Sequence, residues 1–140
     1  MIRRLVTNLV TCIVLCLLSA GAAIAAEAQV DGDRTLVLML FDDKCKVYCK
    51  EVRPILKTLK DEYGDRVAFH EIDFSDNVKK AGFETAKQLG VLSSVGDMLD
   101  YIPVIAVYTP RRRLVKEIIG AKDRPTYVKY IESALKQAGR

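Results

Sequence analysis

The sequence has no tryptophan, a single histidine, few prolines, and no internal repeat or low-complexity segment. With only His70 available, any metal site has at most one imidazole to draw on. Neither charge sign dominates: 22 basic residues face 18 acidic ones, a balance that argues against a nucleic-acid-binding surface. A long membrane-spanning run is lacking too. The apolar stretch from Leu5 to Leu18 falls short of the roughly 18 to 20 apolar residues a spanning helix prefers.

That stretch reads instead as the centre of a secretory signal peptide. Arg3 and Arg4 precede it, and the segment Ser19 to Ala26 that follows is rich in small residues. Residues 1–26 are therefore expected to be removed, with cleavage near Ala25 or Ala26, and the protein to be exported to the periplasm or an equivalent compartment. A membrane attachment would remain only if the segment stayed uncleaved. Cys12 and Cys16 lie within the apolar run and count there as small hydrophobes. Without the segment the formal charge falls from +4 to +2, and Cys45 and Cys49 are the cysteines left. In a compartment where disulfides persist, a bridge between them is the default oxidised state.

What remains is enough for one domain with a single core. Residues 27–34 form a short polar leader. Leu36 to Phe41 is a continuous apolar run, as in a parallel-sheet strand covered on both faces. After the cysteines, Val52, Ile55, Leu56, Leu59 and Tyr63 recur at helical spacing, with Pro54 expected to kink the helix and Gly64 to end it. Arg66 to Phe74 reads as a strand and Lys80 to Leu89 as a helix closed by Gly90. Val104 to Tyr108 and Leu114 to Ile119 form a hairpin about a turn at Thr109–Arg112. A last helix starts near Pro125, with Asp123 as N-cap. The resulting order is β-α-β-α-β-β-α. Arg111, Arg112 and Arg113 fall in the hairpin turn and are assigned to solvent, with docking of an acidic partner as the alternative.

The cysteines sit at the strand-to-helix turn, where a helix N-terminus favours the thiolate. Cys45 is the candidate nucleophile and Cys49, nearer the helix, the resolving thiol. Their C-x-x-x-C spacing does not forbid a bond, because an offset of four residues rises about 6 Å on roughly one helix face.

A dithiol after the first strand, Cys49-Lys50 followed by Pro54, Ile102-Pro103 at the head of the hairpin and Ile119-Gly120-Ala121 at its end together resemble the thioredoxin superfamily. The resemblance covers residues 35–140 and implies a thioredoxin-like α/β domain, a central mixed four-stranded sheet flanked by helices. It implies thiol-disulfide exchange with protein substrates and an upstream redox partner, with no cofactor. It further implies that the Ile102-Pro103 bond is cis, and that Ile102, Pro103 and Tyr48 contact the substrate.

The sequence also departs from that family. One extra residue separates the cysteines, Lys44 stands where a tryptophan is usual, and Met39 occupies the place of a buried aspartate. Glu71, on the neighbouring strand, is the possible substitute proton acceptor, set against a role as a solvated or salt-bridged edge residue. Relative to thioredoxin, an added segment between Val91 and Pro103 is either a partner-contacting flap or a short helix packed on the sheet. Two other functions stay open. C-x-x-x-C also resembles the Sco copper chaperones, which would recruit Cys45, Cys49 and His70 as copper ligands. In the other, the domain is a non-catalytic binding module with Cys45–Cys49 as a structural staple.

Overall fold

The computed structural model describes residues 32–139; the signal segment, its cleavage site, most of the leader and Arg140 lie outside the described residues. Within them the elements are β1 (Thr35–Phe41), α1 (Val47–Tyr63), β2 (Val67–Asp73), α2 (Lys79–Gln88), α3 (Leu92–Met98), β3 (Val104–Tyr108), β4 (Leu114–Ile119) and α4 (Arg124–Ala138). Short 3-10 turns at Gly64–Arg66 and Leu99–Tyr101 lead into β2 and the hairpin. No helix among the described residues is long and apolar enough to cross a membrane.

The four strands form one mixed sheet in the order β2-β1-β3-β4, with β1 parallel to β2 and antiparallel to β3. A parallel pair requires a crossover, and α1 supplies it. β1 lies inside the sheet, and its side chains alternate between two apolar layers. Leu36, Leu38 and Leu40 join Ala86, Leu89, Val95 and Met98 under α2 and α3. Val37 and Met39 join Val52, Leu59, Tyr127 and Ile131 under α1 and α4.

Helix ends follow the chain's local chemistry. Gly64 and Gly90 take positive φ at the ends of α1 and α2, where residues with a Cβ are disfavoured. Asp123 caps α4 by accepting from the Thr126 backbone N–H, with Pro125 in the first turn. α1 runs unbroken through Pro54, and Thr58 Oγ1 donates to the Pro54 carbonyl at 3.0 Å.

One open alternative is decided in favour of the packed helix, and one expectation needs correction. The added segment before Pro103 is no free flap: α3 packs on the sheet through buried Val95 and Met98, with Ser94 Oγ 2.9 Å from Tyr108 OH. Its apolar residues recur at helical spacing, so burial determines their arrangement. Arg112 is not a solvated turn residue either. It adopts φ 59°, and its guanidinium donates to the carbonyls of Leu89 at 2.9 Å and Arg34 at 3.1 Å.

Gly82 shows how closely α2 approaches β2. A Cβ there would stand 2.8 Å from the Asp73 carbonyl oxygen and 3.1 Å from Phe74. Alanine gains about 1 kcal/mol of helix propensity over glycine, whereas overpacking costs about 1–3 kcal/mol. Gly82→Ala is therefore expected to lower the urea midpoint despite the better helix former. A raised midpoint would show that α2 can move off the sheet freely.

Candidate functional site

Past Phe41 the chain turns through Asp42–Lys46 before entering α1. Asp42 organises this turn: Oδ1 accepts from the Lys44 backbone N–H at 3.0 Å, and its carbonyl accepts from that of Cys45 at 3.1 Å. Lys46 sits at the N-cap of α1 without a side-chain cap, and no acidic residue lies in the first helical turn. The positive end of the helix dipole therefore favours negative charge where Cys45 sits.

Cys45 and Cys49 are joined as a disulfide with Cα atoms 5.6 Å apart. That distance lies within the usual range of about 4.4–6.8 Å. The two sulfurs occupy different environments. Cys49 is only 1% exposed, in the layer that holds Val37, Met39, Val52 and Ile105, while Cys45 is half-buried at its margin. Between them, Val47 and Tyr48 are 65% and 54% exposed.

The hairpin brings a second segment to the same end of the sheet. Val104 pairs with Leu40, which sets Pro103 level with the end of β1. The Ile102-Pro103 bond is cis and Pro103 is buried. Its carbonyl accepts from the Gly120 N–H at 2.8 Å, tying it to the end of β4. Just before it, Tyr101 is 55% exposed. Tyr101 belongs to the added segment, and its exposure follows from the 3-10 turn at Leu99–Tyr101.

Glu71 lies opposite Met39 in the β1–β2 register, but at the sheet's edge. It is exposed, and its Oε2 accepts from Arg53 Nε at 2.9 Å. Glu71 is therefore a salt-bridged edge residue, the second of the two roles set out for it. Arg53 also lies over the Phe41 ring, 4.6 Å from its centroid.

His70 pairs with Leu38, so strand alternation directs it to the layer opposite that of Met39 and Cys49. The structure thus does not bring Cys45, Cys49 and His70 together as a ligand set. Among the described residues, no three histidine, cysteine, aspartate or glutamate side chains are grouped to hold a metal. Burial, followed by the charges of Arg34, Lys60 and Arg112, pushes the His70 imidazole below its ordinary value.

No protein-family model matches the chain, and no curated protein sequence matches it. Solved structures do. A thioredoxin from Malassezia sympodialis, Mala s 13, is 20% identical, with a TM-score of 0.52 over 76% of this chain and 81% of that one. A malarial protein is 15% identical, with a TM-score of 0.52 over 73% of this chain and 98% of that one. At these identities the likeness establishes the fold. The domain is thioredoxin-like, with a disulfide-bonded C-x-x-x-C pair at the end of its first strand.

Two measurements follow from the site's burial. After reduction, iodoacetamide should alkylate Cys45 well before Cys49, as read by peptide mass spectrometry; equal rates would mean that the helix start opens on reduction. Below about pH 6.5 the unfolded chain protonates at His70 while the folded chain resists it, so this stability, full above that pH, declines towards the folded pKa. His70→Gln should therefore flatten the fall in urea midpoint between about pH 7 and pH 5. Parallel slopes for the two proteins would assign that fall to other groups.

Proposed function

We propose that the protein is an exported thiol-disulfide exchange protein acting on protein substrates. The observation that carries the reading is the unequal burial of a bonded pair at a helix start: Cys45 reaches the surface and Cys49 does not. Such a pair supplies an accessible attacking sulfur and a sheltered resolving one.

In the reducing direction, the Cys45 thiolate attacks one sulfur of a substrate disulfide. The substrate's other sulfur leaves as a thiolate and takes up a proton. Cys49, deprotonated, then attacks Cys45 Sγ, releases the second substrate thiol and forms the Cys45–Cys49 disulfide. Two electrons have passed to the substrate, and a dithiol donor must restore them. Run backwards, the same steps oxidise a substrate dithiol.

Proton transfer at Cys49 has no buried carboxylate among the described residues to serve it, since Met39 fills the adjoining interior and Glu71 is held at the surface. The departing substrate thiolate is itself basic and adjacent, so it is the natural acceptor for the Cys49 proton. Val47, Tyr48 and Tyr101 give the exposed apolar rim against which a substrate chain docks. Ile102 and Pro103 stand beside that rim, where an extended substrate pairs with the backbone before β3. Signal-peptide cleavage near Ala25 or Ala26 supplies the route to the oxidising compartment.

Cys49→Ser should trap a covalent complex with a disulfide-bonded substrate, stable without reductant and released by dithiothreitol, whereas Cys45→Ser should trap none. Wild-type protein supplied with dithiothreitol should accelerate insulin reduction. If Cys49→Ser forms no mixed disulfide and the wild type leaves insulin reduction unchanged, the exchange reading is wrong and the bridge is a staple.

A further inference from the structure

A concavity of about 770 Å³ runs between α1 and β2, and neither cysteine lines it. One wall carries Lys50, Arg53, Lys57 and Lys60, and Pro54 and Phe69 contribute its apolar lining. The basic residues recur at intervals of three, four and three, which places them along one side of α1. Their backbone positions span about 15 Å of helix rise.

The charges of this wall are unevenly compensated. Arg53 is held by Glu71, and Lys57 meets Asp61 at 3.4 Å with both side chains mostly exposed, a pair worth little in water. Lys50 and Lys60, at the two ends, make no ion pair among the described residues. A row of cations beside an apolar lining fits an anionic chain better than a single small anion.

We propose that this groove binds an extended acidic segment of a partner protein, with carboxylates at alternate positions meeting Lys50, Lys57 and Lys60. Alternate residues of an extended chain project to one side about 6.7 Å apart, so three of them cover about 13 Å, close to the length of the row. The intervening residues leave the backbone free to lie over Phe69 and Pro54. Concavity favours a polypeptide over a bilayer, because a flat anionic surface cannot follow the groove down to its apolar lining. The chain's near balance of charge likewise disfavours nucleic acid, which would require a broader basic surface. The site lies outside the dithiol, so the proposal does not depend on exchange chemistry.

The test is fluorescence anisotropy with a labelled nonapeptide bearing glutamate at alternate positions, compared with the same peptide bearing glutamine. Wild-type protein at low ionic strength should bind the glutamate peptide roughly tenfold or more tightly than the glutamine peptide. Raising salt to about 0.15 M, where the Debye length shrinks to about 8 Å, should weaken binding several-fold. Lys50→Gln/Lys60→Gln should lose most of the affinity with an unchanged thermal midpoint, and Cys45→Ser/Cys49→Ser should keep it. Arg111→Gln/Lys136→Gln, which neutralises an equal charge in the hollow beside the hairpin turn, should also keep it. Amide resonance shifts on adding peptide should centre on Phe69–Glu71 and on α1. Equal binding of the two peptides, or equal losses in the two lysine and arginine variants, would overturn the proposal. Tighter retention on phosphatidylglycerol vesicles than on peptide would replace it with a lipid surface.

Discussion

The burial of β1 on both faces is the constraint on which the rest of the domain depends. Leu36 to Leu40 are each 1% exposed or less, and they feed both apolar layers while pairing with a strand on either side. A strand so enclosed cannot carry an isolated ionised group without a desolvation cost of several kcal/mol. Met39 obeys that rule. Cys49 consequently sits beside a hydrocarbon interior, with Met39 in the same layer.

The same strand explains why the cysteines differ. α1 leaves the end of β1 and folds back across the sheet, so its first turn spans the boundary between solvent and core. Cys45 precedes the helix and stays at the margin; Cys49, one turn in, is drawn beneath it with Val52 and Leu56. Inequality between the sulfurs thus follows from the direction in which the helix leaves the sheet. It needs no special residue between them, which is why Val47 and Tyr48 remain exposed.

Much of this was legible in the sequence. The apolar run of β1, the helical spacing after the cysteines, the Val104–Tyr108 and Leu114–Ile119 hairpin and the Asp123 cap each rest on local chemistry, and each appears in place. What escaped depended on contacts between distant segments. Whether the segment before Pro103 is a flap or a packed helix is decided by Tyr108, Val95 and Met98 meeting across the fold. Whether Glu71 is buried is decided by its strand being at the sheet's edge in the order β2-β1-β3-β4. His70 illustrates the same gap: composition named it as the one imidazole, but only register placed it on the far layer from the cysteines.

Arg112 gives the hairpin turn a standing that its position on the chain conceals. Turns at the end of a hairpin are ordinarily where a fold tolerates insertion and exchange, because few contacts cross them. Here the guanidinium fastens the turn to the end of α2 through Leu89 and to the entry of β1 through Arg34, three segments far apart in sequence. Lengthening the turn by one residue would move that anchor, and with it the alignment of β3 against β1. This surface loop is therefore constrained like an interior position at the point where the chain is clasped.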